Sequence, residues 1–399
     1  MLHVTPYSDR AWAYGGIPRV VADQTEALVE RGLGVTVATT DVRDRDSREP
    51  APAGAPLRRP HPAEVRRGVE VRVFPNVSNR LASRLQLYLP LGLDRWLAGA
   101  ARAFAVGHLH GVHNVPGVHA ARRLRAAGVP FVVQPNGTAP RHERRQLAKL
   151  AFDLLLGRRV LRDAAAVVAV TEFERRQLVG LGVPTGRIVV IPNPLDLSMA
   201  PPAGGAAALR ERLRIGDAPL VVYLGQLSPR KRVDLLIRAF ARLADQRARL
   251  VVAGGDMGCR PSLERLVDAL GVGPRTTFTG VLHGAERLAA LAAATVVAYP
   301  TRDEIFGLVP LEALLCGTPV VVADDCGCGE VIGRTGGGEI IGAGDLAGLA
   351  TALSRVLGSP EDWREPVAEA VVRIRRWFGR ATVAGELEAL YHRLIGSAR

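Results

Sequence analysis

Residues Tyr299 to Val322 read YPTRDEIFGLVPLEALLCGTPVVV, and this stretch decides the fold class. An apolar run from Thr295 to Tyr299 leads into it, and a second apolar run from Pro319 to Ala323 ends it. A loop and a helical pattern lie between the two runs. The order strand, loop, helix, strand is typical of a parallel α/β sheet, whose ligands bind beyond the carboxyl ends of the strands.

Two carboxylates in this stretch stand eight positions apart, with Glu304 in the predicted loop and Glu312 in the predicted helix. Phe306, Gly307 and Leu308 lie between them. Carboxylates accept hydrogen bonds from hydroxyl groups, and backbone N–H groups at a helix start favour phosphate. The pattern indicates a ligand with many hydroxyl groups. A Glu near a helix start can also be a simple surface charge, and that alternative stays open for either Glu alone.

Length and composition predict a globular protein of about two domains. The chain has 399 residues, of which 48% are hydrophobic. No uncharged apolar run is long enough to predict a membrane-spanning helix, and the first residues do not resemble a secretory signal. The four cysteines lack the spacing of a metal site, so we expect reduced thiols and a cytoplasmic protein.

The net charge of +13 is concentrated in the first half of the chain. Residues 1–195 carry 28 Lys and Arg against 16 Asp and Glu, which leaves +12, whereas residues 196–399 carry 24 against 23. A basic half predicts an acidic partner, such as an anionic membrane, nucleic acid or a phosphorylated substrate. Residues 141–162 alternate basic and apolar side chains at helical spacing, which fits either a membrane surface or a solvated basic face.

Alternating apolar runs and helical patterns predict two parallel sheets with helices on both faces. The strands predicted in the first half are Leu2–Thr5, Val35–Thr39, Val69–Phe74, Val106–His110, Phe131–Gln134, Ala166–Val170 and Ile188–Ile191. Those predicted in the second half are Leu220–Leu224, Leu250–Ala253, Thr277–Gly280, Val296–Tyr299, Val320–Ala323 and Glu339–Ile341. We predict a long loop over Asp41–Pro62 and a closing helical pattern over Trp363–Ile395.

Proline and glycine punctuate residues 191–208, and we place the linker between two domains there. The predicted domains are 1–195 and 196–375. The C-terminal helix, from about 376 to 399, is expected to pack back on the first domain.

Two further segments carry candidate ligand-binding residues. Gly15 and Gly16 follow the first strand and open a helix, but they do not form the G-x-G-x-x-G pattern, which disfavours a simple dinucleotide dehydrogenase.

In the second half a strand ends at Gly225, and the short loop that follows places Arg230 and Lys231 at a helix start. Lys231 could neutralise a diphosphate or be ordinary helix-flanking charge. Only two Lys occur against fifty Arg, which favours a role for this compact charge.

His108 and His110 end one predicted strand of the first half, on the same face. His110 is nearer the carboxyl end and is therefore expected to reach the ligand site. A metal would need a third ligand, and none stands nearby in the sequence; a structural histidine is the alternative. The Asp residues of 41–46 and 324–325 are interpreted as loop charges, so we predict no metal site.

In order along the chain, the segments GGIPRVV, HLHG, TEFE, IPNP, GQLSPRK, VVAGGD, FTG, EIFGLVPLE and GTPVV resemble those of a retaining glycosyltransferase of family 4. The resemblance covers nearly the whole chain. It implies the GT-B architecture, in which two Rossmann-like domains face each other across a cleft. It also implies that domain 1–195 binds the acceptor and that domain 196–375 binds a nucleotide sugar. Other activities share this fold, so the motifs carry more of the argument than the fold does.

The resemblance implies roles at the donor sugar and the ribose. Glu304 would contact hydroxyl groups of the donor sugar, helped by backbone N–H groups of Phe306, Gly307 and Leu308. Glu312 would hold the ribose hydroxyl groups of the nucleotide.

The resemblance also implies a diphosphate contact and three catalytic residues. Lys231 would bind the diphosphate, and Gly16 would approach it from the other domain. His110 would lie near the donor sugar and the acceptor. His110, Glu304 and Lys231 are the expected catalytic residues.

The chain departs from the family pattern at two places. Gln226 stands where the family commonly has Arg, which weakens the expected diphosphate site unless Arg230 or Arg19 replaces that charge. Asn136-Gly137 stands where relatives often have His-Gly, on the acceptor side.

The implied reaction moves a hexosyl group from a nucleotide sugar to a hydroxyl acceptor with retained configuration and without a metal or other cofactor. The family favours a UDP-linked donor and leaves guanine and adenine donors open. Expected partners are the donor and the acceptor, with no nucleic acid, and peripheral contact of the basic domain with an anionic membrane is a further option. The product would be a glycan, a glycolipid or a glycosylated natural product.

Two alternatives remain. One is a nucleotide-sugar epimerase or a glycosyl phosphorylase on the same fold, and the other is a basic binding module with a relict catalytic domain.

Overall fold

The computed structural model describes residues 1–11, 15–44, 46–50, 59–85, 87–139 and 157–397. The chain divides into two compact units, one formed by Met1–Leu195 with Phe378–Arg399 and the other by Asp196–Trp377. The change of unit at Leu195 falls within the stretch of proline and glycine that punctuates the sequence.

Fourteen strands lie in the described part of the chain, and they include every strand predicted from the sequence to within one residue at each end. They are β1 (Leu2–Val4), β2 (Thr36–Thr40), β3 (Glu64–Arg66), β4 (Val69–Phe74), β5 (Gly107–His110), β6 (Phe131–Gln134), β7 (Ala166–Ala169), β8 (Ile188–Val190), β9 (Leu220–Leu224), β10 (Arg249–Ala253), β11 (Thr276–Gly280), β12 (Val296–Tyr299), β13 (Val320–Ala323) and β14 (Gly338–Ile341). The strand β3 was not predicted.

The described helices alternate with these strands. They are α1 (Ile17–Glu30), α2 (Asn79–Leu85), α3 (Leu93–Ala100), α4 (Val115–Ala126), α5 (Arg158–Asp163), α6 (Glu172–Gly180), α7 (Gly205–Arg212), α8 (Val233–Ala241), α9 (Arg260–Ala269), α10 (Gly284–Ala293), α11 (Leu308–Leu315), α12 (Gly327–Thr335), α13 (Leu346–Gly358), α14 (Arg364–Phe378) and α15 (Arg380–Ser397). Among the residues described, no helix is both long and apolar enough to cross a bilayer.

The first unit is built on an eight-stranded sheet in the order β3-β4-β2-β1-β5-β6-β7-β8. All neighbours are parallel except β3, which pairs antiparallel with β4. Both faces of the sheet are buried, as in α/β folds generally. In β6, Phe131 and Val133 belong to one core, whereas Val132 belongs to the core on the opposite face.

The last helix of the chain closes one of these cores. Leu387 and Tyr391 of α15 are buried with Leu28 of α1 and Val132 of β6. The continuous helical pattern predicted for Trp363–Ile395 is interrupted, because α14 ends before Gly379 and α15 begins after it. This break lies next to the point where the chain returns to the first unit.

The second unit is built on a six-stranded sheet, all parallel, in the order β11-β10-β9-β12-β13-β14. From β9 the chain moves outward in one direction through β10 and β11, and then returns to β12 on the other side of β9. The loops after β9 and β12 therefore diverge and leave a crevice at the carboxyl ends of these strands. Open α/β sheets bind ligands at such a switch point. In the first sheet the corresponding point lies between β1 and β5.

Candidate active site

The two loops at the switch point of the second sheet bring Lys231 and Glu304 together. Lys231 ends a short 3-10 turn, Pro229–Lys231, just before α8, and Glu304 lies in the loop between β12 and α11. The Lys231 ammonium donates to Glu304 Oε2 and, at 2.7 Å, to the Tyr299 hydroxyl. The Tyr299 hydroxyl in turn donates to Glu304 Oε2 at 3.1 Å. The sequence motifs predict that both charges bind one ligand, but they do not predict the tyrosine hydroxyl between them.

Burial and neighbouring charge shift the pKa of Glu304 in opposite directions. Burial raises the pKa of Glu304, but the charges of Lys231 and Arg230 and hydrogen bonds from Lys231 and Tyr299 outweigh it and leave that pKa below its ordinary value. Burial, with the nearby Glu304 charge, raises the pKa of Tyr299 well above its ordinary value. The carboxylate is therefore charged at neutral pH and the tyrosine keeps its proton.

The loop that holds Glu304 turns sharply into α11 at Gly307. Gly307 has φ +81°, and a Cβ there would lie 2.4 Å from Cys328 Sγ. The Cys328 backbone N–H also donates to the Glu304 carbonyl oxygen at 3.2 Å. Phe306 is buried and Leu308 is half-buried. The backbone from Glu304 to Leu308 is thus held against the start of α12, and only glycine fits at its turn.

Contacts to backbone carbonyl groups hold the GQLSPRK loop, residues 225–231, in place. A Cβ on Gly254 would lie 1.7 Å from the Gly225 carbonyl oxygen, so the VVAGGD segment touches this loop directly. The Tyr223 hydroxyl donates to the Gln226 carbonyl oxygen at 2.9 Å. Arg230 Nη1 donates to the Asp303 carbonyl oxygen at 3.3 Å. Arg230 therefore lies beside the Glu304 loop, where its charge can act with that of Lys231.

Glu312 lies in the second turn of α11, as predicted, with its side chain 1% exposed. Its Oε2 accepts a hydrogen bond from Arg287 Nη1 of α10. No sequence motif predicts this partner, because Arg287 lies in an otherwise ordinary helical segment.

Gly16 and His110 belong to the first unit. Gly16 is exposed and caps the N-terminal end of α1, a 14-residue helix whose second residue is Pro18. Arg19, a candidate substitute for the missing arginine at 226, lies on the same helix and pairs with Asp23 at 3.7 Å. It belongs to the first unit, whereas Gln226 belongs to the second.

His110 is buried in a cluster of three histidines. His3 Nδ1 and His110 Nε2 share a hydrogen bond of 3.0 Å, and the rings of His108 and His110 stack at 4.4 Å. His108 Nδ1 lies 2.6 Å from the Tyr391 hydroxyl of α15. Burial lowers the pKa of all three histidines, and it brings that of His108 to about 3. The imidazoles are therefore neutral at physiological pH.

Three clustered imidazoles could suggest a metal centre, since their nitrogen atoms lie within 4.8 Å of one another. His3, which is far from the other two in sequence, supplies the missing third histidine. However, a bound ion lies close to the plane of each ligating ring, and the rings of His108 and His110 are stacked with only 7° between their planes. Their lone pairs do not converge, so we interpret the cluster as a hydrogen-bonded polar core.

The TEFE motif fixes the loop that contains Asn136 and Gly137. Thr171 caps α6 and its hydroxyl accepts from the Glu174 backbone N–H. The Glu174 carboxyl accepts from the Gly137 N–H at 2.6 Å and from the Val170 N–H at 2.8 Å. Burial raises the pKa of Glu174 to about 7 against the opposing effect of these two hydrogen bonds. Asn136 has φ +51°, which this carboxyl helps to hold.

The basic segment for which membrane contact is predicted spans residues 141–162. Most of it lies outside the described residues, which begin again at Gly157. None of the four cysteines, all of which the structure describes, forms a disulfide.

Comparison with known proteins identifies the family. The Glycosyl transferase 4-like domain matches residues 15–194, and Glycosyl transferases group 1 matches residues 207–370. The D-inositol 3-phosphate glycosyltransferase of Kineococcus radiotolerans is 34% identical over 304 residues, which cover 71% of this chain and 67% of that protein. The protein of that name from Mycobacteroides abscessus is 30% identical over 96% of this chain and 83% of its own.

Solved structures share the fold. Anabaena HepE, solved with UDP and glucose, aligns with a TM-score of 0.73 at 19% identity over 98% of this chain and 99% of its own. Sucrose-phosphate synthase from Thermosynechococcus elongatus aligns with a TM-score of 0.76 at 21% identity over 99% of both chains. The two parallel α/β units thus have the GT-B fold, and with both family domains matched in order, this chain belongs to the glycosyl transferases group 1, the family 4 glycosyltransferases.

Proposed function

We propose that this glycosyltransferase moves a hexosyl group from a UDP-sugar to a hydroxyl acceptor with retention of the anomeric configuration. The observation that carries the proposal is the cluster of Lys231, Tyr299 and Glu304 at the switch point of the second sheet. A cation suits the diphosphate of the donor, and a carboxylate suits its sugar hydroxyl groups. Both charges lie where open α/β sheets bind nucleotides.

In the proposed reaction the protein mainly positions the substrates and stabilises charge. The bond between the anomeric carbon and the phosphate oxygen breaks, while the acceptor oxygen bonds to the same face of that carbon. The acceptor proton passes to an oxygen of the leaving diphosphate. Lys231 stabilises the negative charge on that group, with Arg230 beside it, and Glu304 orients the sugar. This scheme uses no metal ion, and it assigns Glu304 and Glu312 to different parts of the donor rather than to a glycosidase pair.

The choice of substrates follows from the relatives and from charge. The named relatives act on inositol 3-phosphate, and the HepE structure contains UDP and glucose. Residues 1–195 of this chain carry +12, which favours an anionic acceptor. We therefore propose a UDP-sugar donor and a phosphorylated polyol acceptor, and inositol 3-phosphate is the first acceptor to test.

The test is an NMR assay of purified enzyme with UDP-glucose, UDP-galactose or UDP-N-acetylglucosamine, each with inositol 3-phosphate and with EDTA present. The expected result is an α-linked product and UDP. A β-linked product would overturn retention, and activity that EDTA abolishes would overturn metal independence.

The same assay separates the rival enzymes. An epimerised nucleotide sugar without a glycosylated product would identify an epimerase. Conversion that requires inorganic phosphate and yields a sugar phosphate would identify a phosphorylase. Either outcome would replace the proposed function.

A further inference from the structure

The pair of Arg287 and Glu312 joins α10 to α11, the helix that follows the Glu304 loop. Arg287 Nη1 donates to Glu312 Oε2, and Arg287 Nη2 lies 3.7 Å from Met199 Sδ. The Glu312 side chain is 1% exposed and that of Arg287 is 19% exposed. The guanidinium is therefore the member of the pair that a ligand can reach first.

Stability alone gives a weak reason for such a pair. Removing two charges from water costs free energy, and a buried ion pair often contributes little net stability compared with apolar side chains. The neighbouring helices offer an exposed comparison, because Arg212 of α7 pairs with Glu286 of α10 with side chains 53% and 39% exposed. That pair stays in water, whereas Arg287 and Glu312 are withdrawn from it.

The chemistry of the pair matches a vicinal diol. Each hydroxyl group both donates and accepts a hydrogen bond. A carboxylate accepts from the two O–H groups, and a guanidinium, which has five N–H donors in a fixed planar arrangement, donates to their oxygens. Because Arg287 holds the carboxylate, it also fixes the direction in which Glu312 presents its oxygens.

We propose that Arg287 is a specificity-determining residue of the donor site, which together with Glu312 recognises the 2′ and 3′ hydroxyl groups of the ribose in a nucleoside diphosphate. This inference rests on the proposed function and on the ribose role that the family resemblance implies for Glu312. It adds that the arginine of α10 contacts the diol and orients the carboxylate.

The test is calorimetric titration of the full chain with UDP and with 2′-deoxy-UDP. The wild type is expected to prefer UDP by roughly tenfold or more, as for the loss of a hydrogen bond to a charged group. In Arg287→Met the affinity for UDP falls and the preference largely disappears. Arg287→Lys keeps the charge but loses the planar arrangement, and it recovers part of the affinity. Arg212→Met, which breaks the exposed pair, behaves as wild type.

Thermal unfolding of each variant separates binding from misfolding, and Arg287→Lys serves as the second variant if Arg287→Met is unstable. Unchanged or tighter UDP binding by Arg287→Met, or an unchanged preference for UDP over the deoxy analogue, would overturn this inference and leave the proposed function intact. A wild type that binds no nucleoside diphosphate at all would overturn the proposed function and this inference together.

Discussion

Lys231 is one of two lysines in a chain with fifty arginines. Its side chain is 9% exposed and its ammonium contacts both Tyr299 and Glu304. A compact point charge fits between these two partners, whereas a planar guanidinium needs more room. The confined space offers a physical reason for lysine at this position in an arginine-rich chain.

Gly307 should be far less tolerant of substitution than Gly317 at the other end of α11. Both have a left-handed backbone, with φ +81° and +85°. A Cβ on Gly307 would meet Cys328 Sγ at 2.4 Å, whereas a Cβ on Gly317 would meet nothing within 4 Å. We expect Gly317→Ala to lower the free energy of unfolding by about 1 kcal/mol from backbone strain. Gly307→Ala should lower the free energy of unfolding by clearly more, and it should also weaken UDP binding.

Chemical denaturation of both variants checks this prediction. Adding Cys328→Ala to Gly307→Ala should restore part of the loss, because it removes the sulfur but leaves the β-carbon of residue 328 at 2.9 Å and the backbone strain. Equal costs for Gly307→Ala and Gly317→Ala would contradict the proposed steric contact.

The histidine cluster predicts a first unit that loses stability in acid. Burial holds the pKa of His3, His108 and His110 below the ordinary value of 6.5, to about 3 for His108. In the unfolded chain these residues bind protons below pH 6.5, so unfolding takes up protons. The contribution of these neutral histidines to the free energy of unfolding is therefore fully present above pH 6.5 and is lost as the pH falls towards 3. Each histidine contributes a slope of up to about 1.4 kcal/mol per pH unit.

Denaturation between pH 8 and pH 4 should show a shallower pH dependence for His3→Gln than for the wild type. His392→Gln, which changes a histidine side chain that is 69% exposed on α15, provides the control and should keep the wild-type slope. The same slope in His3→Gln and the wild type would show that the buried cluster does not carry the effect.

Among individual residues, the sequence predicted the groups that lie within recognisable motifs. It gave no signal for the Tyr299 hydroxyl as a bridge, for Arg287 as the partner of Glu312, or for His3 as the partner of His110. These contacts join positions 68, 25 and 107 residues apart. Such distances are set by the packing of helices and strands, and a single sequence carries no direct record of them.

At the scale of elements, hydrophobic runs predicted the buried strands well because parallel strands are apolar on both faces. The strand β3 escaped prediction for the same reason. Glu64–Arg66 has three residues that are exposed or half-buried, and it pairs antiparallel at the sheet edge. The interruption of the C-terminal helical pattern at Gly379 was also missed, since the amphipathic pattern continues across it.

The helix α15 should be essential to the stability of the first unit. Leu387 is fully buried in the core formed with α1 and the first sheet. We expect Leu387→Ala to lower the free energy of unfolding by roughly 2 to 5 kcal/mol, as for other large-to-small core changes. Val372→Ala on α14, at a side chain that is 67% exposed in the second unit, should have little effect. If Leu387→Ala lowered the free energy of unfolding no more than Val372→Ala does, the result would contradict the packing of α15.

At the scale of the whole molecule, each unit has its own sheet, its own switch point and its own set of candidate residues. The second unit holds Lys231, Glu304 and Glu312, and its residues 196–377 carry 21 Lys and Arg against 21 Asp and Glu. The first unit holds Gly16 and His110 and most of the positive charge. That the second unit binds the donor and the first unit binds the acceptor stays a prediction. Binding experiments on variants of each unit's candidate residues can test it.

The most direct test of the donor site is calorimetric titration of UDP and UMP into the wild type, Lys231→Met and Arg238→Met. Arg238 is exposed on α8, so its variant controls for the loss of one positive charge. If Lys231 binds the diphosphate, Lys231→Met should lose UDP affinity by roughly tenfold or more while its UMP affinity changes little. Arg238→Met should bind both as the wild type does. Unchanged UDP affinity in Lys231→Met would contradict the assignment of the donor site.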